Sequence, residues 1–381
     1  MNTQRWMSQR FFMFFMTWGV FLPYWTGWMV SEKGITVAEA SIIMSTGLVA
    51  RGVSTLFAYP YFSRRMSSKT LLQVMAIGTL LSVLLYIPAE SYSSLMIVTI
   101  SIHIFYPTLM PALDSTASLL LMHNQLQHYG KSRSWGSIGF VVAGLILTLF
   151  ISWLGDSVIL WAMLLGTFVF TALSIMKTPA ILAEKPNKSE DQASLKSILK
   201  TKNLLLLLVV VMLLQGGHAT YYSYGYMYLQ HIDTPTMMIG VILNVAVLAE
   251  IIFFSKADTM FHKWSVGKLL AFASIGATAR WILVFLFPSI LIFTFTQVLH
   301  ALSFAMGHFA FVKWITKNIS PSSIPLIQGI YSAVALSWAT AAFTLLGGQL
   351  FEINPQYAFL GMIVCTLPAA VLSIYLTRKD S

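Results

Sequence analysis

The sequence predicts an all-α membrane protein with twelve transmembrane helices in two pseudo-symmetric six-helix bundles. Three observations carry this expectation. First, Asp, Glu, Lys and Arg make up only 9% of the 381 residues, against about 25% in soluble proteins. Hydrophobic residues make up 57%, and the mean hydropathy is +0.75. Second, twelve apolar segments each approach the roughly 20 residues that cross a bilayer. Third, the basic residues fall on alternate connections, with 20 of the 23 Lys and Arg on one side of the predicted topology. That is the bias that fixes orientation in membranes, and it places both termini in the cytoplasm.

The segments follow in order. The first, 11–30, comes after Arg5 and Arg10 and stops before Lys33. It is too long, and lacks the small-residue cleavage site, for a removable signal. Segment 38–62 ends at Arg64 and Arg65, and 70–88 starts after Lys69. Segment 93–120 holds Pro107 and Pro111, which predict a kink just before Asp114. Segment 135–153 follows Lys131 and Arg133, and 158–176 stops at Lys177. The polar stretch 177–202 reads as a solvated cytoplasmic linker. It separates bundle 1–176 from bundle 203–381. The second bundle holds segments 203–228, 237–256, 269–287, 290–312, 326–349 and 357–376, again punctuated by Lys202, Lys256, Lys268, Lys313 and Arg378. Lipid cannot satisfy open backbone groups, so each span must be helical, and the alternating ten-residue strands of a barrel are absent.

The two halves repeat. Shifted by 199 residues, the stretch from Gly47 lies on the stretch from Ala246 without a gap, with Arg51 over Glu250, Arg64 over Lys263 and Lys69 over Lys268. A parallel repeat of six plus six helices about a cytoplasmic linker suggests the major facilitator architecture. Substrate there binds near the midplane between repeats, and access alternates between the two sides.

Composition also excludes function classes. A net charge of +10 with the basic residues scattered between apolar runs is no nucleic-acid footprint. One cysteine, Cys365, cannot form an internal disulfide. There is no GxxxxGK[ST], HExxH or GxSxG motif, so neither an ATP-driven pump nor an enzyme is expected.

Charges within spans cost roughly 2.5–3.5 kcal/mol each on insertion scales and mark functional positions by default. Here they are Arg51, Asp114, Glu250 and Arg280, with Arg133 opening the fifth helix. Three arginines against two carboxylates leave one positive charge in excess, which suits a small organic anion, because arginine grips a carboxylate with two parallel hydrogen bonds. A carboxyl among such arginines can also carry a proton, since burial and a neighbouring cation pull on it in opposite directions. In the aromatic runs TWGVFLPYWTGW and LLQGGHATYYSYGY, Pro23 and the Gly216–Gly217 pair predict interrupted helices at matching places in the two halves. Trp25, Tyr221, Tyr222, Gln215 and His218 are therefore candidates for a cavity wall, with an interfacial aromatic belt as the competing reading for the rings.

PALD (111–114) and YGKSRSWGSIGF (129–140) resemble the lactose-permease-like branch of the major facilitator superfamily, and the phenylpropionate permease family most closely. GVFLPYW (19–25), GLVAR (47–51), LLQGGHATYY (213–222), VLAEIIF (247–253), ATARW (277–281), VLHALSF (298–304) and QGIYSAVA (328–335) extend the resemblance over nearly the whole chain. It implies that Asp114 and Arg133 hold substrate, that Phe140 stacks on it, and that Arg280 and His300 belong to a proton-coupling network. The family's proton-carrying glutamate, three residues past the histidine, is Ser303 here, so Asp114 or Glu250 is expected to carry the proton instead. The resemblance thus implies a proton-coupled symporter for an aromatic carboxylic acid in the inner membrane. It would work as a monomer, with the proton gradient and no other cofactor. A sugar or nucleoside symporter, or a non-transporting sensor, is the alternative.

Overall fold

The computed structural model describes residues 2–185, 201–320 and 323–380. Of the predicted linker 177–202, residues 186–200 lie outside the described part. Every regular element among the described residues is helical. In chain order the first half holds α1 (Thr3–Lys33), α2 (Val37–Ser63), α3 (Ser68–Leu84), α4 (Tyr92–Met122), α5 (Tyr129–Leu154) and α6 (Val158–Ile175). The second holds α7 (Leu204–His231), α8 (Thr236–Phe261), α9 (Val266–Leu286), α10 (Ile290–Asn318), α11 (Leu326–Ile353) and α12 (Pro355–Arg378). The chain divides into two compact units, Met1–Glu190 and Asp191–Ser381.

Ten of these helices are long and apolar enough to cross a membrane. Ser68–Leu84 is a shorter apolar helix. Thr3–Lys33 is longer still, but Arg, Gln, Ser, Trp and Tyr dilute its hydropathy. Each helix of the second half begins about 200 residues after its counterpart, so the repeat read at one helix pair runs through all six.

Local chemistry sets the ends. Asn2 caps α1, and Thr36 with Glu39 forms a reciprocal capping box on α2. Ser67, Ser91, Ser265 and Ser289 cap α3, α4, α9 and α10. Lys33 at the end of α1 pairs with Glu90 before α4 at 2.7 Å, so these two connections share one end of the unit.

Several helices are interrupted, but not all where expected. α1 runs unbroken through Pro23. A single lost N–H is tolerated in a packed transmembrane helix, so the matched interruption of α1 and α7 is found only at Gly217–His218. The kink expected from the α4 prolines is present at Tyr106–Thr108. Single wide π-turns, which often mark functional sites, occur at Ser54–Ala58 in α2, Ala301–Ala305 in α10 and Val334–Ala339 in α11.

Glycine lets α1 and α5 cross closely. A Cβ on Gly19 would stand 2.9 Å from the Phe140 carbonyl oxygen and 3.1 Å from Ala143 Cβ. A backbone oxygen cannot step aside, so Gly19→Val is expected to cost about 1–3 kcal/mol. A lowered Tm in detergent, with reduced monodisperse yield, checks this.

Candidate functional site

The first half gathers two groups. On α4 and α5, Tyr129 Oη donates to Asp114 Oδ1 at 2.8 Å. The Arg133 guanidinium lies 4.0 Å from the centre of the Phe15 ring, with Tyr129 and Asp114 within electrostatic reach. Asp114 and Arg133 are therefore linked through Tyr129 and form no direct ion pair. Sequence reasoning missed Tyr129. Its place, four residues before Arg133 and thus on the same helix face, was the available signal. Phe140, two turns further along α5, is half-buried, and its backbone meets α1 at Gly19.

The second group surrounds Arg51. Its guanidinium lies 5.6 Å from the centre of the Trp18 ring. Trp18 in turn packs against Phe14, Phe21 and Tyr106, and His103 lies near the arginine on α4. Trp25 continues this aromatic column but is fully buried between Phe21, Trp28 and Tyr86. Ring-on-ring packing leaves Trp25 no exposed surface in this structure.

The second half holds a chain of polar contacts inside apolar helices. Arg280 is fully buried. Its Nη2 donates to Gln297 Oε1 at 3.0 Å, and its Nη1 lies 2.8 Å from His300 Nδ1. Tyr221 and Trp281 each present a ring 4.4 Å from the guanidinium. Guanidinium only donates, so His300 Nδ1 accepts and a neutral imidazole carries its proton on Nε2. Nε2 stands 3.0 Å from Glu250 Oε1, with the Tyr222 hydroxyl 3.5 Å away. Direction is thereby fixed along the chain: Arg280 to His300 to Glu250. On its other side Glu250 is within electrostatic reach of His308, whose Nδ1 is 3.4 Å from the Tyr331 hydroxyl.

His218 stands beside this chain without joining it. Its Nδ1 donates to the Leu214 carbonyl at 2.9 Å, which leaves Nε2 to accept from the Ser303 hydroxyl at 2.9 Å. It is fully buried with both nitrogens satisfied. Gln215 is equally deep, with Tyr331 as its polar neighbour. Of the C-terminal candidates, Tyr221, Tyr222, Glu250, Arg280 and His300 come together. Arg10, counted among the cytoplasmic cations, is buried instead, donating to the carbonyls of Trp6 and Leu173 and lying against the Trp6 ring.

The buried Arg280–His300 pair and the Glu250 that it touches thus lie within helices long and apolar enough to cross a membrane. The model of the MFS_1 like family matches residues 4–361. The chain belongs to that family, and it is a transporter of small molecules, not an enzyme. It is 27% identical over 373 residues to a probable 3-phenylpropionic acid transporter of Escherichia coli strain K12, covering 98% of this chain and 97% of the relative. It is 25% identical to the maltose permease of Geobacillus stearothermophilus, covering 97% and 93%. Among solved structures, the nucleoside transporter NupG shares the fold at TM-score 0.82 and 13% identity, covering 99% of both chains.

Proposed function

We propose that this protein is a proton-coupled symporter of the cell inner membrane that imports an aromatic carboxylic acid, such as 3-phenylpropionate, by alternating access. Both termini are cytoplasmic and the working unit is a monomer. The observation that carries the coupling is the contact of Glu250 with His300, itself held by Arg280. Glu250 is the only carboxylate in contact with that chain among the described residues. A proton on it cancels the negative end and leaves the Arg280 charge without its counter-charge. Proton binding then changes what the site favours next, which is what coupling requires. Ser303, held by His218, has no titratable role in this scheme.

The substrate class rests on charge and kinship. Among the embedded groups of the first half, Arg10, Arg51 and Arg133 stand against one carboxylate, Asp114, which has Arg133 within electrostatic reach, so the surplus cation lies there. The relative from Escherichia coli is named for an aromatic acid. The maltose permease relative supports a sugar as the second reading, for which the Tyr129–Asp114 pair offers hydroxyl-binding groups. Counterflow in proteoliposomes with aromatic acids, sugars and nucleosides tests the choice. Exchange of 3-phenylpropionate, with no competition from maltose or uridine, is the expected result; competition by a sugar alone overturns it.

A further inference from the structure

We infer that the substrate carboxylate is held by Arg51, with the arene on Trp18; this rests on the reading of the protein as an aromatic-acid carrier. Four arginines are embedded in the described helices, and three are already provided for. Arg10 donates to two carbonyls, and Arg280 is engaged by His300 and Gln297. Arg133 has Asp114 and Tyr129 beside it. Among the described residues Arg51 donates no hydrogen bond and meets no carboxylate within 4 Å. Its neighbours are the Trp18 ring and His103. His103 supplies no negative charge, and its Nδ1 is committed to the Thr99 carbonyl at 2.8 Å.

A guanidinium in a membrane span with only a π face for company lacks a counter-ion, and a bidentate carboxylate is the chemistry it fits. Trp18 is half-buried, so its neighbours do not enclose it completely. The two centres are 5.6 Å apart. Phe14, Phe21 and Tyr106 hold the indole in place.

The test compares 3-phenylpropionate with 3-phenylpropionamide by calorimetry on the purified full chain in detergent. Wild type should prefer the acid by about tenfold or more. Arg51→Gln should erase that preference, weakening the acid far more than the amide, while Arg133→Gln should alter both ligands by a similar factor. Arg51→Lys covers the case in which the glutamine variant does not fold: a reduced preference for the acid supports the assignment, and an undiminished one overturns it. Retained acid preference in Arg51→Gln overturns the assignment while leaving the aromatic-acid reading intact. Failure of wild type to bind any arylcarboxylate overturns both.

Discussion

Glu250→Gln is expected to abolish pH-driven accumulation while counterflow continues within a few-fold of wild type. The carboxylate accepts from His300 Nε2 at 3.0 Å. Glutamine has the same shape and keeps a carbonyl oxygen for that bond, so Arg280 and His300 need not move. What disappears is the titratable site. Uphill transport needs a proton to be taken up with substrate and released on the other side, whereas counterflow needs only substrate exchange. The two assays therefore separate a carrier of the proton from a residue that holds the helices together. Substrate uptake under an imposed pH gradient should fall to the equilibrium level, a loss of up to about tenfold per coupled proton at a gradient of one pH unit. Accumulation undiminished in Glu250→Gln but lost in Asp114→Asn would move the carrier to the first half. There Asp114 is the remaining embedded carboxylate, and it already accepts from Tyr129.

The fold was legible because its information is local. Twelve apolar runs, their basic punctuation and a repeat offset near 199 residues all lie along the chain, and several helices start at a side-chain cap within a few residues. The Arg280–His300 contact was legible through spacing kept by a related family. Contacts between distant helices carry no such mark. Nothing in the sequence says that Tyr129, rather than solvent or substrate, stands between Asp114 and Arg133. Trp25 and Trp18 are close in sequence, yet one is sealed by its neighbours while the other is only half-buried. Gly216–Gly217 and Pro23 looked alike as helix breakers. Of their two helices only α7 is interrupted, at Gly217–His218, where a Cβ on Gly217 would meet Thr366. Arg10 shows the same limit, because a cation near a helix end reads as an anchor until its acceptors are seen.

Arg280→Gln should both inactivate the protein and destabilise it, and the second effect should be reversible by a second mutation. Arg280 is buried between Tyr221 and Trp281, and its hydrogen bonds fix the His300 tautomer. Its removal leaves Glu250 as an embedded anion with no cation in the same chain of contacts. Breaking one side of a buried charge pair typically costs about 3–5 kcal/mol, because the remaining charge stays desolvated. Replacing both partners by neutral groups removes that penalty along with the attraction. Arg280→Gln combined with Glu250→Gln should therefore recover much of the lost Tm in detergent, and show a non-additive coupling of at least about 1 kcal/mol. Transport against a gradient should stay absent in both, since the double variant lacks the titratable carboxyl as well as the cation that responds to it. Arg280→Lys should fall between them, because one ammonium cannot span His300 and Gln297 as the planar fork does. A single variant as stable as wild type, or a double variant no more stable than the single, would show that Arg280 and Glu250 do not share a charge balance.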